Sequence, residues 1–444
     1  MDVPRGDEAT VRTVDAPVVT RGCSVSTPPT RAFLATNDRP RYVWQTPTES
    51  VAVRGATATV TGDGSDRFAD VRADGARLLE SCAVPDGVPT AARPRLFGGF
   101  AFHDDGQAGP WDGFGDARFV LPEVQLTGSG DDWWLTVTAA GSDADSEADS
   151  KLDVWRDRLA DETDPVPAGP PGVADRTRTP SRSGWREQVE AALRSVSEGA
   201  LEKVVLAQAM TLSLSNRLSV PDALERLGRT YPDCYRFAFS PTEDATFFGA
   251  TPERLVSLTG RTVSTEALAG STGRGDTPAE DEWLATELLE SEKDGYEHEV
   301  VADAIREQLE PFASSVGTGD RSVRRLATVQ HLRTPISAEL AGDEHVLSLV
   351  EALHPTPAVG GLPPDAALET IRETETFDRG WYAAPVGWFD ASGNGTFAVA
   401  IRSALARGDA ATVFAGAGIV ADSDPDREWD EVQLKYRPML DELE

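Results

Sequence analysis

The chain has 444 residues, with 42 Lys and Arg against 74 Asp and Glu, giving a formal net charge of −32 and a pI near 4.5. A nucleic-acid binder needs a basic stripe to displace condensed counterions, and this acidic surface repels phosphate backbones over most of its area, so nucleic acid is excluded as a partner. With 40% hydrophobic and 26% charged residues the composition is that of a folded globule and not of a disordered acidic tail.

No stretch of about 18 uncharged apolar residues occurs, and Met1 to Asp7 lacks the basic-then-apolar order of a secretory leader, so a cytoplasmic protein with no membrane association is expected. Cys23, Cys82 and Cys234 have neither the even count nor the spacing of a disulfide frame or zinc site. Lysine is almost absent: Lys151, Lys203, Lys293 and Lys435 are the only ones, and the other 38 basic residues are arginines. Acid-rich, lysine-poor soluble chains are associated with extreme halophiles, where carboxylates keep a protein hydrated in concentrated salt. A lysine retained against that bias has a raised chance of doing what an arginine cannot, such as acting as a deprotonated amine.

In chain order, residues from about 17 to 140 read mostly as strands (Tyr42 to Trp44, Ala52-Val53, Ala56 to Val60, Phe97 to Phe102, Phe119 to Pro122, Trp133 to Val137), with one helical segment at Ala69 to Ser81. A short helical piece is predicted at Leu152 to Leu159, followed by a Pro/Gly/Asp-rich surface connection. Trp185, Val189, Ala192, Leu193 and Val196 share one helical face, and Lys203 to Ala207 reads as a buried strand. Strands follow at Tyr235 to Phe239, Phe247 to Gly249 and Leu255 to Leu258. One long helix is predicted over Glu280 to Leu309, another over Val346 to Leu353, and a third after Pro363-Pro364. Strands at Val386 to Phe389, Thr396 to Arg402 and Thr412 to Ala415 precede a last helix from about Pro425 to Leu443. The organisation expected is 1–160 as a strand-rich N-terminal part, 161–183 as a surface connection and 184–444 as the region that carries the chemistry. Strands and helices without regular βαβ alternation point to an α+β fold with large antiparallel sheets.

Asp294 and Glu297 stand three apart on a predicted helix, and Glu428, Glu431 and Lys435 share a face of the last one. Two helices each offering a pair of acids suit a hard divalent cation such as Mg²⁺, although 74 acids produce such spacings by chance many times. His298, His331 and His354 show no metal-ligand spacing, and Gly416-Ala417-Gly418 is too short for a dinucleotide fingerprint.

A set of ordered blocks goes further: Glu202 to Ala207, Phe248 to Arg254, Thr265 to Ser271, Glu297-His298, His354 to Ala358, Gly387 to Phe389, Ile401 to Ala404, Gly416 to Val420 and Glu428 to Glu431. Together they resemble the chorismate-binding enzyme family, most closely its isochorismate synthase branch, over roughly 185 to 444. The N-terminal part resembles it mainly at Phe97 to Phe100. The resemblance implies a layered fold with two large antiparallel sheets and flanking helices, and makes 184–444 the chorismate-binding catalytic region. It implies a Mg²⁺-dependent isomerase that adds water at C2 of chorismate while the C4 hydroxyl leaves, in a menaquinone or siderophore pathway.

By the same resemblance Lys203 is the base and Glu253 the acid. Glu297 and Glu431 hold Mg²⁺, with Asp294 and Glu428 one turn away. Arg402 and Tyr382 hold the enolpyruvyl carboxylate, while Gly270, Ser271, His331, Gly416, Gly418 and Lys435 line the cleft. Ala269 stands where aminodeoxychorismate synthases carry a lysine nucleophile, and Ala358 where aminating and salicylate-forming relatives usually carry Thr. Gln208 departs from a common Arg, and Ser271 from a common Thr. A monomer without a glutaminase partner is expected. The competing readings are a salicylate synthase, an anthranilate synthase large subunit, or a non-catalytic acidic protein that binds a cation or a partner.

Overall fold

A computed structural model describes residues 16–26, 28–35, 39–104 and 109–444; Met1 to Asp7, read above for a leader, lies outside the described residues. In chain order the first part holds β1 (Val18–Val25), α1 (Thr30–Leu34), β2 (Arg41–Gln45), β3 (Ser50–Gly62), α2 (Arg67–Glu80), β4 (Cys82–Ala83), β5 (Arg95–Phe100), β6 (Ala117–Ser129), β7 (Asp132–Ala140) and α3 (Ala144–Asp161). Then come β8 (Val173–Thr179), α4 (Arg182–Ser197), β9 (Lys203–Leu214), α5 (Val220–Thr230), β10 (Tyr235–Ser240), β11 (Ala245–Thr251), β12 (Arg254–Thr259), β13 (Thr262–Gly273), α6 (Pro278–Glu290) and α7 (Glu292–Leu309). The chain ends with β14 (Ala313–Thr318), β15 (Ser322–Arg325), β16 (Val329–Leu340), α8 (Val346–Leu353), β17 (Gly361–Leu362), α9 (Pro364–Thr374), β18 (Pro385–Asp390), β19 (Gly395–Val399), β20 (Ser403–Arg407), β21 (Ala410–Ile419) and α10 (Pro425–Leu443).

The expected α+β class holds, and the two sheets exist as two arms of one hydrogen-bonded network that fork at β6. One edge of β6 pairs with β3, while its other edge is shared by β5 at Ala117 to Val120 and β7 at Val124 to Ser129. From β3 the first arm continues through β2, β10, β11, β20, β21 and β9. From β5 the second runs through β18, β19, β12, β13 and β16. Besides the passages through α8 and α9 that lay β17 on β9, the chain steps directly from a strand of one arm to a strand of the other at Pro252-Glu253 between β11 and β12 and at Ala400 to Arg402 between β19 and β20. The two crossings are laced together: Val399 N–H donates to the Glu253 carbonyl at 3.0 Å, and Ala250 N–H to the Arg402 carbonyl at 3.1 Å.

An aromatic core runs up to this junction. Trp111 stacks on Phe414 (5.6 Å between centroids), and Tyr382 stacks on the same ring at 5.1 Å. Gly380 has φ +51° and lies so close to the Trp111 indole that a Cβ there would overlap it at 2.1 Å, so this contact admits only glycine.

Several expected boundaries shift, each for a local reason. The helix read over Glu280 to Leu309 is two helices, because Ser291 is extended (ψ 115°) and caps α7 by accepting from Asp294 N–H. The short piece at Leu152 to Leu159 belongs to an 18-residue helix, α3, whose buried contacts near its start are Ala144 and Ala148, too small to register as an apolar face. Within 161–183 the polar segment Val173–Thr179 forms β8, pairing with the outer end of β9 as an exposed edge strand. The strand read over Thr396 to Arg402 stops at Val399, since Arg402 turns into the left-handed region with φ +50°. α5, β13 and β16 were not read from sequence.

Candidate active site

A cavity of about 620 Å³ opens where the arms meet. β9 and β21 supply one wall, β13 and β16 another, the two crossings its base, and α7 and α10 its acidic rim. All fourteen residues singled out by sequence line it: Lys203, Glu253, Gly270, Ser271, Asp294, Glu297, His331, Tyr382, Arg402, Gly416, Gly418, Glu428, Glu431 and Lys435. Ala269 and Ala358 line it too. Three of the four lysines are here; Lys151 instead pairs with Glu123 and Glu147 on the surface.

Lys203 opens β9 with its side chain passing over Gly418, whose missing Cβ would lie 2.7 Å from Lys203 Cε. Burial depresses the lysine pKa and the charge of Lys435 adds to that, while Glu297, Glu431 and Glu253 oppose it. Glu253, 8% exposed in its crossing, is pushed up to about 7, first by burial and then by the carboxylate of Glu266, against the pull of Arg402, Lys203 and Lys435. An amine biased toward neutrality and a carboxyl biased toward protonation therefore share one cavity.

Arg402 Nη2 lies 3.0 Å from His331 Nε2, and His331 Nδ1 lies 2.8 Å from Ser271 Oγ. A guanidinium only donates, so Nε2 accepts and the imidazole proton sits on Nδ1, donated to Ser271 Oγ. Burial and the nearby charges of Arg402, Lys435 and Arg324 hold His331 neutral, its pKa well below the usual value. The Ser271 hydroxyl proton is thereby left for an acceptor in the cavity. Arg402 Nη1 is buried with no hydrogen-bond partner, which calls for an anionic acceptor. Tyr382 is buried on Phe414 with its phenol pKa raised by burial, so its hydroxyl stays a donor. Lys435 donates to the Gly416 carbonyl at 2.9 Å and pairs with Glu431 at 2.7 Å. Gly270, at φ +75°, forms the bulge between β13 and β16 that brings Ser271 opposite His331.

On the rim, burial raises the pKa of Glu297 and of Glu428, while the Lys435 charge lowers that of Glu431. Among the described residues no three Asp, Glu, His or Cys side chains converge into a ready-made metal cage. The donor set is nonetheless all carboxylate oxygen on two facing helices, which suits a hard cation held by one or two carboxylates, with substrate and water completing its shell.

Sequence reasoning missed three cations that line the cavity, Lys293, Arg379 and Arg427. Lys293 pairs with Asp422 at 2.8 Å, and the scarcity of lysine was the signal that would have found it. Arg379, 1% exposed, is held by Glu375 and donates to the Val359 carbonyl (3.0 Å) and the Val205 carbonyl (2.7 Å); nothing local distinguishes it from the other arginines.

A cavity that brings together a lysine displaced toward neutrality, a carboxyl displaced toward protonation and an unpartnered guanidinium nitrogen suits proton transfer on a small anionic molecule. Residues 19–444 match the family described as "Chorismate binding enzyme", and the chain belongs to that family. It is 39% identical over 423 residues to the "Salicylate biosynthesis isochorismate synthase" of Pseudomonas aeruginosa, covering 94% of this chain and 87% of that one. It is 37% identical over 359 residues to "Isochorismate synthase MenF" of Bacillus subtilis, covering 80% and 75%. The structure of the menaquinone-specific isochorismate synthase MenF from Escherichia coli superposes with a TM-score of 0.83 at 26% identity, over 98% of this chain and 97% of that one.

Proposed function

We propose that the chain is an isochorismate synthase, converting chorismate to isochorismate. The observation that carries this reading is the pairing of Lys203 and Glu253, with pKa values displaced toward neutrality, in a cavity that also presents the unpartnered Arg402 Nη1. Neutral Lys203 takes a proton from the water that adds at C2, and the ring double bonds shift. Glu253 gives its proton to the C4 hydroxyl, which leaves as water. The sum is an isomerisation: one water enters, one leaves, and the protons gained by Lys203 and lost by Glu253 are exchanged with solvent.

Arg402 and Tyr382 orient the enolpyruvyl carboxylate, and the Ser271 hydroxyl adds a fixed donor. Glu297 and Glu431 would hold Mg²⁺, with Asp294 and Glu428 beside them; the ion would neutralise and orient the ring carboxylate. The cations of the cavity explain how a chain of charge −32 takes up a dicarboxylate. Ala269 leaves no amine to attack the ring, which disfavours the aminodeoxychorismate reaction. We place the enzyme in the cytoplasm as a monomer without a glutaminase partner, upstream of a quinone or a siderophore; among the described residues no helix is long and apolar enough to cross a membrane.

Purified protein incubated with chorismate and Mg²⁺ in high salt should form isochorismate. Salicylate with pyruvate, or ammonia-dependent anthranilate, in its place would establish one of the other enzyme readings. No turnover at all would return the non-catalytic one.

A further inference from the structure

Outside the lining of the cavity, around the buried Glu266, lies an ionic cluster that the proposed reaction does not use. Glu266 of β13, 6% exposed, accepts from Arg324 Nη1 of β15 at 2.9 Å and is also bonded by Arg333 of β16. The same Arg324 Nη1 donates to the carbonyl of Pro252 at 2.9 Å, and its Nη2 to the Asp233 carbonyl at 3.2 Å. Pro252 carries the peptide bond into Glu253. The backbone of Glu253 is held from two more sides, by its own N–H on Thr251 Oγ1 (3.2 Å) and by Val399 N–H on its carbonyl (3.0 Å). Arg324 thus clamps the Glu253 crossing to the Glu266 carboxylate through a single nitrogen.

Resting on the isochorismate synthase reading, we propose that Glu266 and Arg324 are positioning residues for the acid: Arg324 fixes the crossing that carries Glu253, and the fixed negative charge of Glu266 keeps the proton on Glu253. A carboxyl that must be protonated at neutral pH gains from an anion nearby, and two arginines bond the Glu266 carboxylate in place. The other groups facing Glu253 are Arg402 on the second crossing, Lys203 on β9, Lys435 on α10 and Tyr382 above Phe414. The three cations oppose the effect of Glu266, which is the largest charge acting in its favour.

The test is the pH profile of kcat/KM for isochorismate formation. Glu266→Gln keeps the shape, removes the anion and leaves two positive charges behind, so the limb near pH 7 set by Glu253 should move down by about one unit. Arg324→Gln removes a positive charge, so the same limb should move up, with a lowered kcat from the loosened crossing. The limb set by Lys203 should move less in both. A purely structural role lowers activity in both variants without displacing the limb in opposite directions. Folded variants whose limbs coincide with wild type, or move the same way, overturn the proposal. If Glu266→Gln does not fold, Arg324→Gln decides alone: no upward shift overturns it. Wild-type protein that makes no isochorismate overturns the underlying reading instead, so the two failures are distinct.

Discussion

Replacing Gly418 by alanine tests the role of Lys203 without touching the lysine. A Cβ at 418 would lie 2.7 Å from Lys203 Cε and 3.4 Å from Nζ, and the glycine is not at positive φ, so backbone strain does not enter. Carbon atoms settle at about 3.5–4.0 Å, so the lysine tip must retreat by about 1 Å. Because the obstacle is the end of a flexible side chain, the fold should lose less than about 1 kcal/mol, while a displacement of about 1 Å at a reacting group costs on the order of 100-fold in rate. Steady-state assays of isochorismate formation, with thermal melts alongside, should therefore show kcat down about 100-fold with KM little changed and the melting curve near wild type. Gly416→Ala is the contrasting control: its Cβ would meet the backbone carbonyl of Leu206 at 2.8 Å, which cannot swing away, so stability should fall by about 1–3 kcal/mol. Folded Gly418→Ala with kcat within about threefold of wild type would refute the assignment of Lys203 as a precisely placed base.

Lys203→Ala and Glu253→Gln should each lower kcat by about 10²-fold or more with folding intact, and near-wild-type rates in both would reject their roles. Since Glu253 must carry a proton and Lys203 must lack one, the kcat/KM profile should be bell-shaped with one limb at about pH 7; a profile without that limb would contradict the acid assignment. Arg402→Lys keeps the charge but loses the fork, and should raise KM by about 10- to 100-fold, read by substrate titration. Glu375→Ala leaves the charge of Arg379 buried without its carboxylate partner, and denaturant unfolding should show a loss of about 3–5 kcal/mol. Chelation should abolish turnover, Mg²⁺ should restore it, and calorimetric Mg²⁺ binding should be lost in Glu297→Gln.

The elements that sequence made legible are those whose signal is local. The helix over Val346–Leu353 carries five buried apolar residues in eight positions, and α10 begins at a proline behind an aspartate cap. β13 and β16 pair across more than fifty residues and mix Ser, Thr, Glu and His with their apolar positions, so neither declares itself alone. α6 and α7 merged because a helical period continues across Ser291, whose cap is a side-chain bond that periodicity does not see. The site was legible through family motifs and through the survival of three lysines in an arginine-dominated chain. Arg379 and Arg324 were not, because their importance lies in the backbone carbonyls they reach far away in sequence, and Glu266, though inside the Thr265 to Ser271 block, shows its part only through the side chains of Arg324 and Arg333 that bond it.

The paired crossings at Glu253 and Arg402 share a mount. Each is the point where a strand leaves one arm for the other, and the two backbones are bonded to each other on both sides of the bend. A change in the angle between the arms would carry Glu253 and the Arg402 guanidinium along together, so their separation stays constant while the distance to Lys203, at the far end of the first arm, varies. Breathing of the sheet would tune only one side of the chemistry, and random surface mutations that alter it should perturb deprotonation of water more than departure of the hydroxyl.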